Sequence, residues 1–213
     1  MDRRFIIILA VIILGFFGIV YTSKKDKTQT ESSTASAQGS SNYYGKMDSQ
    51  VELTEFVDFQ CEACYAYYPI VKEVKEKYKD KVKFRIRNFP ITSSHQFAMQ
   101  AARSAEAAAR QGKFFEMHDL IFEGQKTWER AQDPTSYFDG YAQQIGLDME
   151  KYKADFASPD VNAVVNKDLK DVQELGGTGT PTFALNGKKI ESPGRTVEDF
   201  SKFLDAELAK VQQ

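Results

Sequence analysis

The chain has 213 residues, 42% of them hydrophobic and 13% aromatic, enough apolar material for a packed core in one or two units. Net charge is −2, and beyond residue 41 the chain carries 23 basic against 27 acidic groups, so no basic face for nucleic acid is present. A closed zinc site needs four ligands, and the chain offers two cysteines and two histidines. His95 and His118, however, fall in helical stretches where a lone His is more often a surface or core residue than a ligand.

Chain order begins with four residues, 1–4, that read as a cytoplasmic lead. "FIIILAVIILGFFGIVY" follows over 5–21 without a charge. At ~1.5 Å per residue it spans roughly 25 Å, the short end of a bilayer crossing. The expectation is an uncleaved signal anchor, a single-pass helix in the cell membrane. A cleaved signal peptide is the alternative, but the small-residue "ASA" at 35–37 lies far beyond the apolar run. Residues 22–41 contain no aromatic residue and no Val, Ile, Leu or Met. Such a segment buries too little to offset its ordering entropy, so a flexible polar linker is expected, with the folded domain occupying 42–213.

"VELTEFVDF" (51–59) is rich in β-branched and aromatic residues and predicts a strand ending at the cysteines. Tyr67, Val71, Val74 and Tyr78 then recur at helical spacing, and "KVKFRIRNF" (81–89) alternates as a second strand. Strand, helix and strand in succession predict a βαβ unit with a parallel pair. A helical block follows at about 93–175: an Ala-rich helix over 94–112, "KFFEMHDLIFEG", a loop with Trp128, and helices over 135–146, 148–157 and 160–175. "TPTFALNGKKIE" (180–191) predicts a hairpin about Asn186-Gly187, and 196–211 a closing helix capped by Thr196.

Cys61 and Cys64 are the only cysteines and lie three positions apart where the first strand enters its helix. A structural disulfide there closes a very short loop and constrains the unfolded chain little. A redox couple accounts for more. At a helix N-terminus, unpaired N–H groups and the helix dipole favour a thiolate at Cys61, and Cys64, one turn deeper, is placed to resolve a mixed disulfide. Between them, Glu62 places a negative charge beside the nucleophile and Ala63 supplies no cation, so Glu62 is expected to raise the Cys61 pKa. Glu55 shares a strand face with Leu53, Val57 and Phe59, where an ionised carboxylate is costly. A raised pKa and a proton relay to Cys64 are expected there, with Asp58 as the fallback and an exposed strand edge as the alternative. "GGTGTP" (176–181) leads into the late hairpin, and a cis Thr180-Pro181 bond facing the cysteines would offer backbone groups to an extended substrate chain.

Together, "EFVDFQCEAC", "FAMQAARSAEAAARQGKFFEMHDLIFE", "YAQQIGLD" and "GTGTPTFALNGK" resemble the DsbA-like thiol–disulfide oxidoreductases of the thioredoxin superfamily, in a membrane-anchored bacterial form. The resemblance runs from about residue 45 to the C-terminus. It implies an α/β thioredoxin-like fold with an inserted helical domain, Cys61 as nucleophile, Cys64 as its buried partner, and a cis Pro181 beside them. Glu55 falls on the family's strand acid. It also implies disulfide formation in reduced exported client proteins on the extracytoplasmic side, no cofactor beyond the Cys61–Cys64 disulfide, and reoxidation by a quinone-linked membrane oxidase. The Glu62-Ala63 dipeptide departs from the pairs common in the family, which leaves direction open. A reductase or isomerase on the same fold is one alternative; a tethered client-binding chaperone module with incidental cysteines is another.

Overall fold

The computed structural model describes residues 38–211. The expected anchor at 5–21 and most of the linker lie outside them. Among the described residues no helix is long and apolar enough to cross a membrane.

The first strand, β1 (Asn42–Gly45), is followed by β2 (Glu52–Val57), α1 (Glu62–Tyr78) and β3 (Lys83–Asn88). Strands β2 and β3 pair in parallel, as the βαβ reading requires, and β1 runs antiparallel on the far edge of β3. Residues 51, 58 and 59, read as strand ends, lie just outside β2. Helix α1 continues through Pro69 to Tyr78 and lays Tyr67, Val71, Val74 and Tyr78 against Leu53, Phe84, Phe183 and Phe200.

Six helices then intervene: α2 (Ala98–Ala109), α3 (Phe114–Glu123), α4 (Gln125–Trp128), α5 (Thr135–Gln144), α6 (Met149–Ala157) and α7 (Pro159–Glu174). The helix expected over 94–112 is shorter at both ends, since 94–97 form turns and Gly112 lies past the stop at φ +72°. The loop expected around Trp128 contains one helical turn. It is held by the completely buried indole, whose Nε1–H donates to the Ile121 carbonyl at 2.7 Å. Strands β4 (Thr182–Leu185) and β5 (Lys188–Ile190) form the hairpin about Asn186 and Gly187, both at positive φ as a type I′ turn demands. Helix α8 (Val197–Val211) closes the chain, with the Thr196 hydroxyl accepting from the Asp199 N–H.

Sheet order is β1-β3-β2-β4-β5, which puts β2 at the centre. Strand β2 is therefore covered on both sides and paired on both edges, and the exposed-edge alternative for Glu55 falls away. The result is a thioredoxin-like α/β fold with a mixed sheet and a helical insertion.

The start of the folded region needs correction. Ser40 belongs to the domain rather than to a linker: it is buried, its N–H donates to Asp168 Oδ1 at 2.9 Å, and its hydroxyl meets Glu106 at 2.6 Å and also Asp168. Asn42 and Asn88 donate to the same Glu106 oxygen, and Arg87 pairs with Asp168 and Asp171 at 2.6 Å. This polar knot joins the N-terminal segment, β3, α2 and α7. It gives polar residues a partner that composition alone could not predict.

Candidate active site

The turn between β2 and α1 is built around Asp58. Its carbonyl accepts the Cys61 N–H at 3.1 Å, and its own N–H points at Cys64 Sγ at 3.5 Å. Its buried carboxylate accepts from the Gln60 N–H (2.8 Å), the Ile91 N–H (2.7 Å) and His95 Nδ1 (2.8 Å). From the other side Gln125, fully buried, donates to the carbonyls of Phe59 at 2.7 Å and Cys61 at 3.2 Å. The turn is thus clamped from β3's exit loop and from the helical insertion.

Cys61 occupies the N-cap of α1 with extended backbone (φ −77°, ψ 125°). It is half-buried and Cys64 is buried; both are free thiols. The Cys64 thiol donating to Cys61 is the largest influence on the latter and pulls its pKa down to about 5, against the opposing effect of burial. The Thr180 hydroxyl and the N–H groups of Cys64 and Ala63 add to the depression. No strict N-cap hydrogen bond is formed by the side chain, so these N–H groups act as nearby dipoles rather than as a closed cap. As a thiol, Cys61 Sγ contacts the Thr180 carbonyl at 3.5 Å, leaving the buried Thr180 hydroxyl without a partner. That idle hydroxyl is positioned to serve the anion. Burial above all, and then the neighbouring Cys61, push the Cys64 thiol well above its ordinary value. Two sulfurs three residues apart therefore have opposite acidities.

The Thr180-Pro181 bond is cis and adjoins the pair. Glu62 is exposed at the start of α1, where solvent screens its charge, and Ala63 contributes only its N–H. Glu55 lies in β2 beneath α1, 4% exposed, and burial raises its pKa to about 7 against the pull of Lys75. Its charge is felt at Cys64. Around it close Tyr68, Val71, Lys72, Lys75, His118 and Phe122, enclosing a cavity of about 10 Å³. Burial lowers the Lys75 pKa and takes His118 down to about 4, so the histidine sits neutral among aromatic rings.

The structure thus brings Cys61, Cys64, Thr180 and Pro181 together, with Glu55 one layer below. His95, Gln60, Gln125 and Lys75 were not singled out from the sequence. Their contacts cross up to 66 residues of chain, and only "HQ" at 95–96, polar residues just before an apolar helix, hinted at a local task.

A family model described as "Thioredoxin" matches residues 37–206. Among curated proteins, the Na(+)/H(+) antiporter NhaA of Herminiimonas arsenicoxydans is 34% identical over 146 residues, 68% of this chain and 22% of that protein. An NhaA of Salinispora tropica is 32% identical over 149 residues, again 22% of its length, so the chain spans about a fifth of these relatives. Among solved structures, a thioredoxin-like oxidoreductase from Silicibacter pomeroyi superposes with TM-score 0.65 at 25% identity, covering 81% of this chain and 92% of that one. BdbD from Bacillus subtilis gives 0.69 at 23%, covering 82% and 97%. The thiol-disulfide exchange protein alpha-DsbA2 from Wolbachia pipientis gives 0.66 at 22%, covering 78% and 86%.

Proposed function

Because the chain belongs to the thioredoxin family, with DsbA-like thiol–disulfide oxidoreductases as its structural neighbours, we propose that it oxidises thiol pairs in reduced exported client proteins through Cys61 and Cys64. The observation that carries this reading is the unequal setting of the two sulfurs, Cys61 half-buried at the α1 N-cap against the cis Thr180-Pro181 segment and Cys64 buried one turn deeper. A thiolate stabilised at Cys61 favours the reduced form of the pair, and a disulfide whose reduced form is favoured is an oxidant.

The steps follow from that asymmetry. A client thiolate attacks Cys61 Sγ, a new S–S bond forms, and the Cys61–Cys64 bond breaks with its electron pair on Cys64. Cys64 takes a proton, which Glu55 in its acid form supplies from beneath. The client's second thiolate then attacks the client sulfur of the mixed disulfide and Cys61 departs as thiolate. One of the client's protons returns Glu55 to its acid form through solvent. The client has thus lost two electrons and two protons; the enzyme holds both electrons and one added proton, and the second proton goes to solvent. The backbone at 179–181 offers hydrogen-bonding groups to an extended client strand. Nothing beyond the redox-active disulfide is required. In this reading the 5–21 segment anchors the domain on the extracytoplasmic face of the cell membrane, where a quinone-linked oxidase reoxidises the pair. Transport, the activity named for the antiporters, belongs to proteins of which this chain spans about a fifth.

The test is equilibration of the pair with glutathione, together with oxidative refolding of a reduced client by wild type and Cys61→Ser. An oxidase is reduced by mild glutathione buffers and speeds refolding, and Cys61→Ser abolishes both. A pair that stays oxidised in strongly reducing buffer would identify a reductase or isomerase, and full cellular function in Cys61→Ala a binding module.

A further inference from the structure

The Cys-x-x-Cys dipeptide of this chain, Glu62-Ala63, carries no cation, and no lysine, arginine or histidine figures among the groups that most strongly set Cys61; the Cys61–His95 attraction is felt at His95. Yet the turn buries an acid. The Asp58 side chain is completely shielded from solvent, and its backbone is bonded to both cysteines. Of its three carboxylate donors, the Gln60 and Ile91 N–H groups are neutral. The third, His95, is the one that can bring a full charge. An uncompensated buried carboxylate at this place would oppose a second negative charge on Cys61.

We propose that His95, oriented by Asp58, is the cation of the redox site: its imidazolium offsets the buried Asp58 charge and stabilises the Cys61 thiolate, so that its protonation tunes the oxidising power of the pair. The proposal rests on Cys61 and Cys64 being a working redox couple and names a positioning residue for it.

The surroundings of His95 suit the role. It sits in the loop between β3 and α2, with 19% of its side chain open to solvent, enough to exchange a proton. The charged groups that face it are Asp58 at the end of β2, Cys61 at the α1 N-cap and Glu62 in its first turn. Burial works against its charge, but the hydrogen bond to Asp58 and these three negative groups overcome it and raise its pKa. The loop is tied at a second point, where the Phe97 N–H donates to Gln60 Oε1 at 2.8 Å. Glu62 gains a meaning here: exposed and close to His95, it supports the imidazolium rather than only opposing the thiolate.

A linkage follows. Thiolate at Cys61 and proton on His95 favour each other, so His95 binds its proton more tightly in the reduced protein than in the disulfide form. Below both His95 pKa values, reduction of the disulfide by two electrons takes up one proton, on Cys64. Between them it takes up one on Cys64 and a second on His95. Potential then falls more steeply with pH in that window, by an extra tenfold in the equilibrium per unit, ~30 mV.

Two measurements test this. In wild type, the His95 imidazole titrated by NMR in both redox states is expected to show a higher pKa when the pair is reduced; equal values overturn the proposal without any variant having to fold. In His95→Gln, the Cys61 thiolate absorbance midpoint is expected to rise by about one unit and the glutathione equilibrium to move about tenfold toward the disulfide, with client docking unchanged. A packing role alone would leave the wild-type linkage absent and the extra pH slope missing. If the pair equilibrates with glutathione but neither property responds to His95, this proposal fails and the oxidase reading stands. If the pair does not equilibrate at all, both fall.

Discussion

Four acids are buried among the described residues, Glu55, Asp58, Glu106 and Asp168, and two of them, Asp168 and Glu55, are handled in opposite ways. Asp168, 0% exposed on α7, is met by the Ser40 and Asn88 N–H groups, the Asn88 amide and the Arg87 guanidinium. Glu55, 4% exposed on β2, has no hydrogen-bond donor among the described residues and only the pull of Lys75, which lines the same small cavity. A carboxylate held by several donors and a guanidinium ties their segments together, so it serves as a fastener. An unclamped one is left near neutrality, where a proton comes and goes at little cost. The contrast separates the acid that holds the insertion to the sheet from the acid proposed to serve Cys64.

The largest effect should come from breaking the clamp. Asp168→Ala leaves Arg87 buried beside Phe56 with only Asp171 to pair it and strips Ser40 and Asn88 of an acceptor. Removing one partner of a buried ion pair costs about 3–5 kcal/mol. Urea unfolding is expected to show that loss while the Cys61 titration stays where it was. A loss below about 1 kcal/mol would mean that the knot is not a fastener.

The same operation on Glu55 should go the other way. Its folded pKa, about 7, lies above the ordinary 4.5. As pH rises past 4.5 the unfolded chain ionises first, so burial of this group progressively destabilises the fold until pH exceeds about 7. The full penalty is about 3 kcal/mol on that difference. Glu55→Gln removes it: the variant is expected to be more stable than wild type at pH 8, with the gap closing toward pH 4, in unfolding series at the two ends. Exchange with a client should slow by about 10²–10⁴-fold, the range of a lost general acid or base, with the fold intact. Unaltered rates would leave Glu55 a buried acid without a task.

How far the sequence reached follows the same division. The βαβ unit, the Asn186-Gly187 hairpin and the Thr196 cap are written in periodicity and turn chemistry over a few residues, and were legible. Glu55 stood out because an acid broke an apolar alternation, yet its centrality in the sheet depends on β4 arriving from 128 residues away. Strand β1 was missed because four residues ending in Gly45 carry too little pattern. At Gly45, φ is +86° and an added Cβ would come within 2.5 Å of the Val82 carbonyl, a constraint set by tertiary contact. Ser40, in a stretch whose composition argues for a linker, is ordered only because Glu106, Asn88 and Asp168 converge on it. Partnership among distant polar residues leaves no local trace.

The smallest effect tests where charge matters around the nucleophile. Glu62 is adjacent to Cys61 in sequence but exposed, and it faces His95 as well as the thiolate. Glu62→Gln removes a repulsion at the sulfur and also a support for the imidazolium, two effects of opposite sign, each weakened by solvent. A Cys61 midpoint shift of no more than about 0.3 unit is expected in the absorbance titration, where the sequence alone argues for a clear fall. A fall of a full unit would show that the neighbouring acid governs the thiolate directly. The contrast would then lie between Glu62 and Cys61 themselves, not between clamped and unclamped acids in the layers beneath.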